Sequence, residues 1–303
     1  MAIAAVDADL GIGHQAIHRT VGLNGEELID GLLGALEEAL AQEPRAESIG
    51  LGIPCTIDRE RGVALGAVNL PIANLPIRDL IADRFHLPVS VDNDANVAAL
   101  AEHRHGAARG TTNAVVLTVG TGIGGGLIIN GRVYRGRSGA GPELGHMVIE
   151  ADGPPCQGTC PNRGCVETLA SGTALARDAR VMAEANPGSR LAEIMAAGEP
   201  LDGPKIIGAA KDGDEIALAA VNRIADRLGV ALASYANIFE PDIFVLGGGV
   251  TSAAGDLLLE PARAVLAARA LKPQNVTPVV QAELGWQAGF VGAATLALDE
   301  GRA

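Results

Sequence analysis

The stretch Gly139–Glu167, GAGPELGHMVIEADGPPCQGTCPNRGCVE, concentrates residue types that packing alone does not require. Three of the four cysteines fall in it as C-x3-C-x4-C (Cys156, Cys160, Cys165), His146 precedes them, and Glu143 and Glu167 stand close by. Three thiolates and one imidazole make a closed tetrahedral Zn site. Gly158, Pro161 and Gly164 supply turns that can point successive sulfurs at one centre. The competing reading is a loop of unpaired or disulfide-bonded cysteines. Disulfides belong mostly to oxidising compartments, and the residues after Met1 show neither a cationic segment nor the long apolar run of an export signal. No apolar run reaches the length of a membrane span. The expectation is therefore a cytoplasmic protein, in which clustered Cys and His argue for metal. Cys55 reads as a buried small hydrophobe.

Further motifs carry potential chemistry. DNDAN (Asp92–Asn96) sets Asn93 and Asp94 where a strand ends and a helix begins, the place at which open α/β sheets bind ligands. Helix capping is the other reading, since Asp and Asn are preferred caps. GTGIGGG (Gly120–Gly126) follows an apolar strand and can offer backbone N–H groups to a phosphate; a tight turn explains it equally well. No G-K-[ST] follows and the next segment reads as a strand, which excludes both the Walker loop and the dinucleotide fingerprint. Gly247–Gly249 is of the same kind, a nucleotide platform or a close backbone crossing. Glu143 and His146, three residues apart, can meet one ligand from a single turn. A Zn-bound His146 keeps its second ring nitrogen for a hydrogen bond.

The elements that must position these residues alternate between strand and helix. Strands are expected at Met1–Asp7, Gln15–Val21, Ser48–Pro54, Pro88–Asp92, Ala114–Val119, from there to a hairpin turn at Asn130-Gly131 with a return through VYR, at Asp242–Leu246 and near Val276–Gln281. Leu28, Leu32, Leu36 and Leu40 recur at i+4 behind Asn24 and predict an amphipathic helix that ends near Pro44. Further helices are expected from DNDAN to about Glu102, over Thr173–Ala185, Arg190–Ala197, Glu215–Ile238, about Gly255–Ala270 and about Gln287–Leu298, with Val63–Leu75 as loop. This is an α/β class with largely parallel sheets. At 303 residues the chain is long enough for two domains. A net charge of -13 without a Lys/Arg cluster argues against a nucleic-acid partner.

In this order, N-D-A-N, G-T-G-x-G-G-G, G-P-E-L-G-H, C-x3-C-x4-C-V-E and the closing W-Q-A-G-F-V-G-A-A-T-L-A resemble the ROK family of sugar kinases, repressors and related open reading frames. The resemblance runs from about Met1 to Ala297. It implies a two-domain actin-like, hexokinase-like fold: a smaller domain over 1–106, rejoined by the last helix at about 287–303, and a larger one over 107–286 with the Zn loop at 146–165. It implies that Asp94 is the base that takes the proton of a sugar 6-hydroxyl as it attacks the γ-phosphate of ATP. Asn93, Glu143, His146 and Glu167 would then hold the other hydroxyls, with Zn2+ on His146, Cys156, Cys160 and Cys165. Gly120, Thr121 and Gly122 resemble the second phosphate loop, and Gly247, Gly248 and Gly249 part of the adenosine site. The cysteine spacing is longer than the commoner C-x-C-x4-C.

Kinases of that family open with a strand ending in D-x-G-G-T, whose loop meets the ATP phosphates and whose Asp helps hold Mg2+; Met1 aligns just after it. The expectation is that the natural start lies upstream. Without that strand, backbone groups of two central strands stand unpaired, at about 1–3 kcal/mol each if buried. The activity implied is phosphorylation of glucose to glucose 6-phosphate. The rivals are a family kinase for fructose, mannose or an N-acetylhexosamine, and a non-catalytic sugar-binding member. No membrane partner is expected, and homo-oligomerisation is left open.

Overall fold

The computed structural model describes residues 1–20, 22–66 and 70–301. The chain opens with a hairpin of β1 (Ala2–Val6) and β2 (Ile12–Ile17), followed by α1 (Gly25–Gln42). Asn24 caps α1: its side chain accepts from the backbone N–H groups of Glu26 and Glu27, and Glu27 reaches back to the Asn24 N–H. Next come β3 (Ile49–Ile53), an antiparallel meander of β4 (Thr56–Asp58), β5 (Val63–Gly66) and β6 (Ala73–Leu75), then α2 (Ile77–Phe85), β7 (Val89–Asn93) and α3 (Asp94–His105). The expected Val63–Leu75 loop is thus partly strand. The meander is a small sheet separate from the others, and Pro71 falls between β5 and β6, so no ladder bond is lost to it. Val21, residues 67–69 and residues 302–303, on which parts of the expected second strand, loop and last domain segment fall, lie outside the described residues.

The larger sheet follows: β8 (Ala114–Val119), β9 (Ile123–Ile129) and β10 (Arg132–Val133), with the turn at Asn130-Gly131 in positive φ as the hairpin requires. Helices α4 (Val166–Ala170), α5 (Gly172–Ala185), α6 (Arg190–Ala196), α7 (Gly203–Lys211) and α8 (Glu215–Phe239) come next. Then follow β11 (Ile243–Gly247), α9 (Gly249–Ala254), α10 (Asp256–Arg269), β12 (Val279–Gln281) and α11 (Ala288–Gly301). Helices α2, α4, α7 and α9 are additions to the sequence expectation. The helix expected from about Gly255 to Ala270 is α10, and Gly255, at φ +56°, separates it from α9.

Strand order in this sheet is β10-β9-β8-β11-β12; β8 runs antiparallel to β9 and parallel to β11. Its central strands β8 and β11 are apolar on both faces, and α8, with Ile224, Leu228, Leu232 and Tyr235 buried, anchors the core beneath them. The first half holds a second core around Leu36, Ile49, Ile57, Ile77 and Val91.

Two helices join the halves. α3 lies against both β8 and β9, and a Cβ at Gly126 would strike Ala99 and the Ala95 carbonyl. Gly124 and Gly126 are therefore glycine for helix approach, whereas the expectation grouped them with the phosphate-binding turn. α11, last in sequence, packs on α3, β3, β7 and β1. Glu102, at 1% exposure, accepts from the N–H groups of Ala107, Glu283 and Leu284 and so ties the end of α3 to the segment that leads into α11. No helix among the described residues is long and apolar enough to cross a membrane.

Candidate active site

Asp94 is the first residue of α3, directly after β7. Asn93 caps the helix: its Oδ1 accepts from Ala95 N (2.9 Å) and Asn96 N (3.3 Å), while its Nδ2 donates to the Cys55 carbonyl (3.3 Å). The capping reading thus holds for Asn93 and leaves one N–H of its amide for a ligand. Asp94 Oδ1 accepts from Ala95 N (2.9 Å), and the residue is exposed. Even so, the surrounding protein strips water from the carboxylate and raises its pKa above the ordinary value of 3.8, against hydrogen bonds from Ala95, its own N–H and Asn93. Cys55 is buried as expected; burial, with the Asp94 charge adding, pushes its thiol up to about 12.

Asp92, which the sequence reading left without a role, organises this turn. It is 2% exposed; Oδ1 accepts from Asn93 N (2.8 Å) and Asn96 Nδ2 (3.1 Å), and Oδ2 from Arg135 Nε (2.6 Å), with Arg59 Nε at 3.8 Å. Arg59 also pairs with Glu300 on α11. The sequence signal was the unabsorbed first acid of DNDAN and the arginine that ends VYR.

Glu143, Leu144, Gly145 and His146 form a single 3-10 turn. Leu144 is buried and its carbonyl accepts from the Tyr235 hydroxyl, and a Cβ at Gly145 would strike the Ile123 carbonyl. The turn is thereby clamped onto the start of β9. The Glu143 pKa is raised, mainly by burial and also by the Glu167 and Asp94 charges, against the pull of His146. Those mutual charge effects bring all four groups within one field. Glu167, in the first turn of α4, accepts from Ile123 N (2.8 Å), so one carboxylate oxygen already serves the glycine turn.

His146 Nδ1 lies 3.4 Å from Cys156 Sγ, Cys160 Sγ lies 4.0 Å from Cys165 Sγ, and the four donor atoms lie within 4.8 Å of one another. Tetrahedral Zn–S and Zn–N bonds of ~2.3 and ~2.0 Å place donors about 3.5–3.8 Å apart, so the set fits Zn2+. All four cysteines are free thiols. Burial pushes Cys165 up to about 12, with Cys156 and Cys160 adding, and burial also raises Cys156. Without a cation these thiols resist ionisation; a metal reverses that. The loop is folded to suit: Gly158 and Gly164 have φ of +59° and +63°, and Gly164 O accepts from Ile149 and Glu150. With Nδ1 turned to the sulfurs, His146 Nε2 is left for another partner.

The turn Gly120–Gly122 closes by Gly120 N to Gly122 O (2.9 Å) and joins β8 to β9. Thr121 O accepts from Thr173 Oγ1 (2.8 Å) and Gly120 O from Gly172 N (2.7 Å), which puts the start of α5 against it. Gly248, at φ +89°, backs onto Val119, so Gly247–Gly249 lies beside the same strand ends. The structure therefore groups Gly120, Thr121 and Gly122 with the Gly247–Gly249 segment, and Asp94 with Glu143, His146 and Glu167; Glu167 links the two groups. Gly172 and Thr173 were missed, their only signal being the small, polar S-G-T opening of a helix.

A ROK family profile matches residues 1–300. The glucokinase of Thermotoga maritima is 36% identical over 297 residues, 97% of this chain and 92% of that protein. A ROK family glucokinase from Streptomyces griseus, solved in complex with glucose and AMPPNP, superposes with a TM-score of 0.85 at 35% identity, covering 98% of this chain and 96% of that one. A xylose repressor of Caldicellulosiruptor bescii is 32% identical over 258 residues, 84% of this chain and 64% of the repressor. Motifs, site geometry and overall likeness agree: the chain belongs to the ROK family.

Proposed function

We propose that this protein is an ATP-dependent hexose kinase that phosphorylates glucose at its 6-hydroxyl. The observation that carries the reading is the link through Glu167: a carboxylate beside Asp94, Glu143 and His146 is hydrogen-bonded to the N–H at the end of the Gly120–Gly122 turn. The set that would hold the sugar and the turn that would meet the phosphates are thereby hydrogen-bonded neighbours. The likeness to glucokinases supports the same reading.

Asp94, its pKa raised by desolvation, accepts the proton of the attacking hydroxyl. Glu143, His146 Nε2, the free Glu167 oxygen and the remaining Asn93 N–H orient the other hydroxyls. Phosphoryl transfer depends chiefly on such positioning. Backbone groups of Gly120–Gly122 and Gly247–Gly249 receive the nucleotide, and ATP arrives with Mg2+. His146, Cys156, Cys160 and Cys165 would hold Zn2+, which would fix the orientation of the His146 ring. The smaller unit comprises residues 1–106, rejoined from about 287 by α11, and the larger comprises 107–286. The setting is cytoplasmic.

ADP release measured against glucose, fructose, mannose and N-acetylglucosamine tests the reading. Turnover highest with glucose is expected; preference for another hexose overturns the substrate. Glucose binding without ADP release favours a non-catalytic sugar-binding protein, a reading the repressor likeness keeps in view.

A further inference from the structure

Helix α4 is five residues long and meets three parts of the site. Cys165 stands directly before it, Glu167 lies in its first turn, and the chain leaving it donates from Gly172 N to Gly120 O and from Thr173 Oγ1 to Thr121 O. A helix this short does not hold itself in water, so contacts with its neighbours decide where it sits. Val166, Leu169 and Ala170 are fully buried. Apolar burial is non-directional, however, and it leaves the last carbonyls of the helix without partners.

Two arginines from other helices meet those carbonyls. Arg177 of α5 donates from Nη1 to Thr168 O (2.7 Å), and Arg227 of α8 donates from Nη1 to Leu169 O (3.3 Å). Asp178, 6% exposed, holds both guanidiniums: Oδ2 accepts from Arg227 Nη1 (2.6 Å) and Oδ1 from Arg177 Nε (2.9 Å). The metal loop joins them, with Glu150 Oε1 3.7 Å from Arg227 Nε and Pro155 O accepting from Thr168 Oγ1 (3.1 Å). Buried ion pairs are weak contributors to stability, because desolvation offsets their attraction. What apolar side chains would not replace is the pair of directional, charge-assisted bonds to the α4 carbonyls.

We propose that Asp178, through Arg177 and Arg227, is a positioning group for Glu167. It locks α4 where the Glu167 carboxylate accepts from Ile123 N with one oxygen and keeps the other for a sugar hydroxyl. On the reading of Glu167 as a sugar ligand, Asp178 sets hexose affinity by way of Glu167 and not by touching the hexose.

Asp178→Asn keeps the side-chain shape and removes the charge that holds the two guanidiniums. The Ile123 amide, bonded to Glu167, reports the position of that carboxylate without any ligand. Its exchange, followed by NMR, is expected to speed up at least ~10-fold, with Val115 and Leu117 of β8 unchanged. The glucose KM is expected to rise about tenfold with kcat within about twofold, the pattern of a lost binding contact. In a Glu167→Ala background the same substitution should leave KM within about twofold, because its route to the sugar is already cut. Equal acceleration at Ile123, Val115 and Leu117 overturns the proposal, since Asp178 then only stabilises the larger half. Unchanged Ile123 exchange, an unchanged KM, or a KM effect that adds in full to that of Glu167→Ala overturns it too. Absence of glucose turnover in the unsubstituted protein removes the kinase reading alone, and Ile123 exchange then decides whether Asp178 positions Glu167. Should Asp178→Asn not fold, Arg177→Ala, at a side chain 39% exposed, cuts the same connection at the Thr168 carbonyl and is read by the same measurements.

Discussion

Asp94 and Asp92 are two residues apart and have opposite surroundings, which assigns them different work. Asp94 has its charge destabilised by lost solvent and only local hydrogen bonds to offset it; Asp92 is almost fully buried but holds two arginines and two N–H donors. Asp94→Asn is expected to lower kcat by roughly 10²- to 10⁴-fold, the usual contribution of a positioned base, while glucose still binds by calorimetry. Residual turnover near the wild-type rate would remove Asp94 from that role. The raised pKa also places the acid limb of kcat/KM above the ordinary aspartate range. For stability the sign is the reverse of the common carboxylate case. The folded pKa exceeds the unfolded one, so stability is greatest below the unfolded value and declines as pH rises toward the folded value. Asp94→Asn should therefore raise Tm at neutral pH and leave it nearly unchanged near pH ~3, below the reference aspartate value. Arg135→Ala acts through Asp92. Breaking a fully buried pair costs ~3–5 kcal/mol; with Arg135 at 22% exposure and Arg59 still near, about 2 kcal/mol is expected in urea unfolding. Arg135→Lys should recover little, since a lysine ammonium does not reproduce the guanidinium geometry.

At the scale of elements, the metal loop was the most legible part of the sequence, because ligand types and spacing are themselves the chemistry. Cys156, Cys160, Cys165 and His146 converge as the motif required. The long helices and the larger sheet were legible too, since α1 and α8 carry clear apolar stripes and β8 and β11 are apolar on both faces. Less legible were short elements whose partners are distant in sequence. The strands β5 and β6 are stabilised by pairing with each other and β4, and α9 is a single-purpose continuation of the Gly248 crossing. The Asp92–Arg135–Arg59 cluster was invisible for the same reason: its members come from three separate segments. On the proposed Zn2+ site, which would brace the loop through its four donors, Cys160→Ser should release the metal and loosen the turn that holds Glu143 and His146. Metal by elemental analysis is expected to fall from one equivalent to near none, with the sugar KM rising by ~10- to 100-fold, the range seen when groups supporting a metal site are removed. Unchanged metal content would exclude Cys160 as a ligand.

For the whole molecule, the decisive connection is made by its last helix. α11 packs on α3, β3, β7 and β1, so the first half is closed by a helix that follows the larger sheet in sequence, and α3 carries Asp94 from that half onto β9 of the other. The seat depends on glycine at two places: a Cβ at Gly292 would strike the Val97 carbonyl of α3, and one at Gly50 would strike the Ala293 carbonyl of α11. Two glycines in α11 therefore give a matched pair. At Gly289 an added Cβ meets open space, so alanine there gains helix propensity, up to ~1 kcal/mol. At Gly292 the same propensity gain is offset by a wedge between two helices, and overpacking of this kind costs ~1–3 kcal/mol. Gly289→Ala should hold or raise Tm, whereas Gly292→Ala should lower it by about 2–6 °C. Because α11 seats the helix that bears Asp94, Gly292→Ala should also depress kcat, with metal content unchanged. If both variants melt alike and turn over alike, α11 is an appendage to the first half and the coupling of Asp94 to the larger sheet resides in α3 alone.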